Sequence, residues 1–223
     1  FLLTRSSDLA MRPLGKGHQL EVGAKYIDRN NNSHTTQDYR NVLPTMDNAF
    51  DHTTRVFAGY ADYIYNSERW SARAGLRYEY SFMQGSYPDG SEESFNKHLG
   101  DWVPQASLKY QFTDAQSLKL NYTTSINRPG ISYLNPAVVT SPTIVQQGNP
   151  QLSSSHTQRI SLIYSYILPK LTLQIAPAYN FSSGGISSIQ TAKNDVRYYT
   201  YDNILRYRRF SIEQYVQWKP FDR

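Results

Sequence analysis

From Trp70 to Met83 the chain alternates without a break. Trp70, Ala72, Ala74, Leu76, Tyr78, Tyr80 and Phe82 are apolar or aromatic, while Ser71, Arg73, Gly75, Arg77, Glu79 and Ser81 between them are small or charged. A period of two places these sets on opposite faces of a β-strand. The run is about 14 residues, more than twice the usual ~5–6 of a globular strand. A strand of that length, greasy on one face and charged on the other, suits the wall of a membrane β-barrel, with lipid outside and water inside.

The pattern recurs along the chain. Leu20, Val22, Ala24 and Tyr26 alternate with Glu21, Gly23 and Lys25, and Leu108 and Tyr110 alternate with Lys109 and Gln111. Leu118 to Ile126, Ile160 to Tyr166 and Leu171 to Phe181 do the same. Segment 52–66 is aromatic on both faces, and 196–219 keeps the pattern only at Phe210, Ile212, Val216 and Trp218. With a strand at 1–10, this reading yields about ten strands, and no stretch sustains a helical period. Short connections are expected at 12–17, 66–69, 113–116 and 169–170. Long polar ones are expected at 29–51, 84–101 and 128–156, with a fourth tip near Lys193-Asn194-Asp195. Short and long alternate, which gathers the tight turns at one end of the sheet, as in outer-membrane barrels.

Composition supports a barrel. The chain has 19 Tyr, nine Phe and three Trp, and Trp70, Trp102 and Trp218 fall near expected strand ends, where amphipathic rings gather at membrane interfaces. A mean hydropathy of −0.61 and the lack of a long apolar run exclude a helical membrane protein. The absence of cysteine excludes a disulfide framework and thiolate chemistry. The formal charge of +5 is spread along the chain, with Arg206 to Arg209 as its one basic cluster, so lumenal Arg and Lys explain it without nucleic acid. No hydrophobic leader is seen at Phe1, and Lys219 to Arg223 reads as a turn, so residues 1–223 are expected to be one partial barrel domain of a longer protein.

Particular stretches carry a resemblance. Pro104-Gln-Ala-Ser-Leu-Lys-Tyr, Ser125-Ile-Asn-Arg-Pro, Leu134-Asn-Pro and Gly148-Asn-Pro-Gln-Leu resemble the barrel of TonB-dependent outer-membrane receptors and the related outer membrane protein beta-barrel family. Leu20-Glu-Val-Gly-Ala-Lys-Tyr, Ala74-Gly-Leu-Arg-Tyr-Glu, Asn203 and Phe210-Ser-Ile-Glu extend it over roughly residues 8–219. Ser153-Ser154-Ser155 departs from the family, which commonly has a Pro-Glu pair there. The resemblance implies an all-β, antiparallel up-and-down transmembrane barrel of ~22 strands, of which this chain supplies part. It also implies an N-terminal plug and the remaining strands as intramolecular partners, outer-membrane lipid around the wall, and the TonB system as the energy source. A surface lipoprotein is a further partner consistent with such a barrel.

The candidate ligand contacts are Arg128, Asn135 and Asn149 in the longest loop, and Arg73, Arg77 and Glu79 on the lumenal face. Each has a plainer role to set beside it. Arg128-Pro129, Asn135-Pro136 and Asn149-Pro150 are turn-forming pairs, and the strand charges suit ion pairs within the wall. Glu92-Glu93 reads as a solvated loop pair. The five His lack metal-ligand spacing, although His34, His98 and His156 fall in expected loops where a loop metal contact stays open. No nucleophile elbow or phosphate loop is present, so no catalytic residue and no cofactor is assigned. The leading function is import of a scarce or bulky nutrient across the Gram-negative outer membrane. The alternatives are a non-transporting barrel serving as adhesin, assembly factor or docking partner, and, third, a small-barrel hydrolase.

Overall fold

The computed structural model describes residues 2–37, 46–87, 94–136, 138–141 and 143–221. Its wall strands are β1 Leu2–Gly15, β2 His18–Gln37, β3 Met46–Asn66, β4 Trp70–Ser86, β5 Phe95–Gln111 and β6 Gln116–Asn127, then β9 Ser155–Leu168, β10 Leu171–Lys193 and β11 Val196–Trp218. Between β6 and β9 lie the single-turn helix α1 (Ile131–Leu134) and the short strands β7 (Val139–Ser141) and β8 (Ile144–Gln146). All the strands belong to one sheet, ordered β1-β2-β3-β4-β5-β6-β9-β10-β11-β8-β7. The nine wall strands pair antiparallel with their neighbours along the chain. β8 departs from that order by running parallel to β11, with Arg197 opposite Ile144 and Tyr199 opposite Gln146.

Register assigns the faces. Leu108 lies opposite Leu120, and Leu120 opposite Leu162, so one row of leucines crosses β5, β6 and β9. Leu76, Leu108, Leu120 and Leu162 are all 40–47% exposed, a row of large apolar side chains turned away from the protein as a lipid-facing surface requires. The other face carries Arg77, Lys109, Lys119 and Arg159. It also carries the buried small residues Ser81, Ser117, Ser161 and Ser165, and we call it the inner face. On the outer face the rings pair across strands: Trp70 on Tyr110 near the short-turn end, and Tyr78 on Trp102 and Tyr26 on Phe57 nearer the other end. Replacing Leu120 with Arg puts a guanidinium in the apolar row between these rings. The expected loss is ~2–4 kcal/mol near the bilayer midplane, against under ~1.5 for Leu120→Met, both read from refolding into liposomes. β1 differs from its neighbours, because Leu9 and Met11 lie opposite Gly23 and Glu21 on the inner face.

Turn chemistry follows the local residues. Lys16-Gly17 joins β1 to β2, and Gly17 sits at φ 78°, where a Cβ would run into the Asn66 carbonyl. Asn194 and Asp195 join β10 to β11 at φ 50° and 61°, the conformation of a type I′ hairpin turn that these two residues tolerate. Pro177 faces the gap in the β9–β10 ladder between Ile175 and Ala178, consistent with its missing N–H.

Three expected loops are shorter than the sequence suggests. The strands β2 and β3 stay paired to Gln37 and Met46, and β5 already starts at Phe95, so much of 29–51 and 84–101 is strand. The turn expected at 12–17 shrinks to residues 16–17. Beyond the membrane no lipid imposes an apolar outer face, so the period-two signal weakens while the backbone ladder continues. Trp102 accordingly sits well inside β5 and not at its start, and its ring is 60% exposed on the outer face. His34, His98 and His156 likewise lie on strands β2, β5 and β9 and not in loops. Glu92-Glu93 lies outside the described residues.

Candidate functional site: a carboxylate clamp under the longest loop

The β5–β6 ladder pairs only Gln105–Gln111 with Ser117–Thr123. It stops beside Pro104, which has no N–H to offer. Past that point β5 and β6 part, and the segment between β6 and β9 enters the space on the inner face. Leu134 (0% exposed) and Leu152 (1%) close onto Met83 and Leu99, with Phe95, Ile186 and Tyr201 around them. An apolar contact of this kind is what folds a loop inward, since a loop held only by water-exposed polar groups gains nothing by burial.

Beneath it lies a charged clamp. Asp101, 3% exposed on the inner face of β5, receives a hydrogen bond from Ser154 Oγ at 2.9 Å. Arg128 Nε (3.6 Å) and His156 Nε2 (3.1 Å) face the same carboxylate off the line of a hydrogen bond. The Arg128 guanidinium also pairs with Glu79, which Arg77 binds at 2.8 Å. Arg128 opens the loop and Ser154 and His156 close it, so one buried carboxylate ties both ends to the wall.

Of the candidate contacts, Arg128, Arg77 and Glu79 therefore converge in this clamp. Arg73 does not: it lies nearer the short turns and bridges Asp62 (2.9 Å) and Glu21 (3.3 Å), with Gln105 donating to Asp62 at 2.8 Å. Gly75 makes room for that bridge, since a Cβ there would coincide with the Asp62 carboxylate. Gly75→Ala is thus expected to displace Asp62 and cost ~1–3 kcal/mol, measured as a lower denaturant midpoint. Asn135 and Asn149 hold the loop's own shape. Asn135 accepts from the Tyr87 hydroxyl, and its carbonyl accepts from Gly148 N at 2.9 Å. Asn149 Nδ2 donates to the Tyr201 carbonyl at 2.8 Å while its Oδ1 accepts from Gln151 N at 2.8 Å. Asn203 ties the loop's far end, donating to the Ser153 carbonyl at 3.0 Å and the Gly184 carbonyl at 2.7 Å.

Sequence reasoning missed Asp101, Ser154, Leu134 and Leu152 as organisers of this site. Assigning 84–101 to a loop removed Asp101 from any face. With β5 started at Phe95, its alternation with Leu99 and Val103 would have exposed it. No group of three or more His, Asp or Glu among the described residues is placed to hold a metal ion.

With this geometry in view, the comparisons are specific. The chain belongs to the outer membrane protein beta-barrel family, whose pattern it matches over residues 9–223. No curated protein sequence matches it. Among solved structures it is similar to the copper transporter OprC, with a TM-score of 0.72 at 11% identity over 98% of this chain and 35% of that one. A double mutant of the Serratia marcescens hemophore receptor HasR, in complex with its hemophore HasA and heme, gives 0.70 at 13% identity over 96% and 38%. The unliganded ferric citrate transporter FecA gives 0.67 at 15% over 96% and 31%. Identities this low speak for the fold alone. The chain spans about a third of each of these proteins, and its sheet has the fold of part of such a barrel wall. The wall lies in the outer membrane of a Gram-negative bacterium, with its tight turns at the periplasmic end and the clamped loop at the external end.

Proposed function

We propose that these residues form part of the barrel of a TonB-dependent receptor that imports a scarce or bulky nutrient, completed by further strands and an N-terminal plug. The observation that carries this reading is the clamped loop. A long external segment folded onto the inner face, with Leu134 and Leu152 fully buried and Asp101 gripping both ends, narrows the external mouth. A receptor that captures one solute needs a preorganised mouth, and a loop held in this way supplies one. The likeness of the wall to OprC, HasR and FecA supports the same reading. Arg77, Glu79 and Arg128 line the clamp, and we assign them the positioning of the loop.

The test is growth of the native host on limiting concentrations of candidate nutrients. Deleting the gene for the full-length protein should abolish use of one of them, and deleting the gene for TonB should reproduce that loss. A phenotype in surface attachment or complex assembly that persists without TonB would overturn import and favour the adhesin or docking reading.

A further inference from the structure

The inner face is unevenly neutralised. Glu21 and Asp62 pair with Arg73, Glu79 with Arg77 and Arg128, Asp101 with Arg128 and His156, and Glu213 with Arg159. Lys109 and Lys119 stand directly opposite one another on β5 and β6. Both are half-buried, and among the described residues neither has an ion pair or a hydrogen bond. Like charges directly opposite across a ladder repel, because their Cβ atoms are only ~5 Å apart. Ser71 continues that row on β4, next to Lys109. The adjoining row consists of Arg73, Ser107, Asn121 and Ser161, again in register across four strands. Two rows of hydrogen-bond donors therefore lie side by side with no free carboxylate between them. Lys119 and the second row border a cleft of about 280 Å³ lined by Arg73, Gln105, Ser107, Lys119, Asn121 and Thr123, and Lys109 stands directly across the ladder from Lys119.

We propose that Lys109 and Lys119, with Arg73, Ser107 and Asn121, form an oxyanion site on the lumenal wall near the periplasmic rim. Its ligand is a carboxylate or phosphate group, held by two ammonium point charges and by the hydroxyl and amide of the next row. The cleft is large enough for such a group. Two sources share this chemistry: an acidic side chain from another part of the protein packed against this face, or a dissolved anion. The inference needs only the inner-face assignment and stands apart from the import reading.

The test uses the full-length protein in detergent at constant ionic strength, with inorganic sulfate as probe against chloride. Lys109→Gln/Lys119→Gln is compared with Lys25→Gln, another unpaired inner-face lysine outside the two rows. Saturable sulfate binding by the parent and by Lys25→Gln, lost in the double variant, supports the site with a dissolved anion as its source. No sulfate binding by the parent, combined with a lower unfolding midpoint and new protease sensitivity confined to the double variant, supports it with an internal carboxylate. Sulfate binding retained by the double variant overturns the proposal. So does absence of binding in every protein when the double variant is as stable as the parent.

Discussion

Replacing Asp101 with alanine is expected to free the loop between β6 and β9 while leaving the barrel wall assembled. Removing one partner of a buried ion pair typically costs ~3–5 kcal/mol, because the remaining charges lose their counter-charge in a poorly hydrated place. Arg128 keeps Glu79, so the lower end of that range applies. The loss falls on the loop and not on the strands, since Ser154 and His156 are released together with the loop's start. The measurement is limited chymotrypsin digestion of the full-length protein in detergent. Cleavage near Tyr133 should rise sharply, while the heat-modified gel mobility of the barrel stays as in the parent. Equal protection of the loop in Asp101→Ala and the parent would show that the clamp holds nothing. Asp101→Asn is the informative companion, because it preserves the Ser154 hydrogen bond and removes only the charge.

Leu134→Ala is expected to have an effect of similar size by a different route. The side chain is fully buried against Met83, Leu99 and Leu152, and truncating a leucine in such a place costs ~2–5 kcal/mol in lost burial plus a cavity. Leu152→Ala should act on the same contact, so the double variant should cost less than the sum of the singles. The readout is again loop protection, with nutrient-dependent growth as the functional measure. Strict additivity of the two substitutions would mean that the leucines anchor separate segments.

The wall was legible in the sequence because a strand with lipid on one side and water on the other must alternate, and a one-residue slip would turn Leu120 inward and Lys119 into hydrocarbon. Turn-forming residues made the short turns at 66–69, 113–116 and 169–170 and the Asn194-Asp195 hairpin readable. Outside the bilayer the pressure to alternate stops. Asn30 to His34 is polar on both faces, and Phe95 to Leu99 has its apolar face covered by Leu134 and Leu152 and not by lipid, so both read as loops. Arg128, Asn135 and Asn149 share one loop, yet their contacts differ in space. Arg128 meets a carboxylate 27 positions earlier in the chain, at Asp101, whereas Asn149 turns back onto Tyr201. Nothing local encodes such meetings. They depend on β5 and β6 parting beside Pro104, on a loop long enough to enter the gap, and on Leu134 and Leu152 finding an apolar surface made by β4, β5, β10 and β11. Residue spacing along one strand settles which way a side chain points, and only the packing of several strands settles what it finds there.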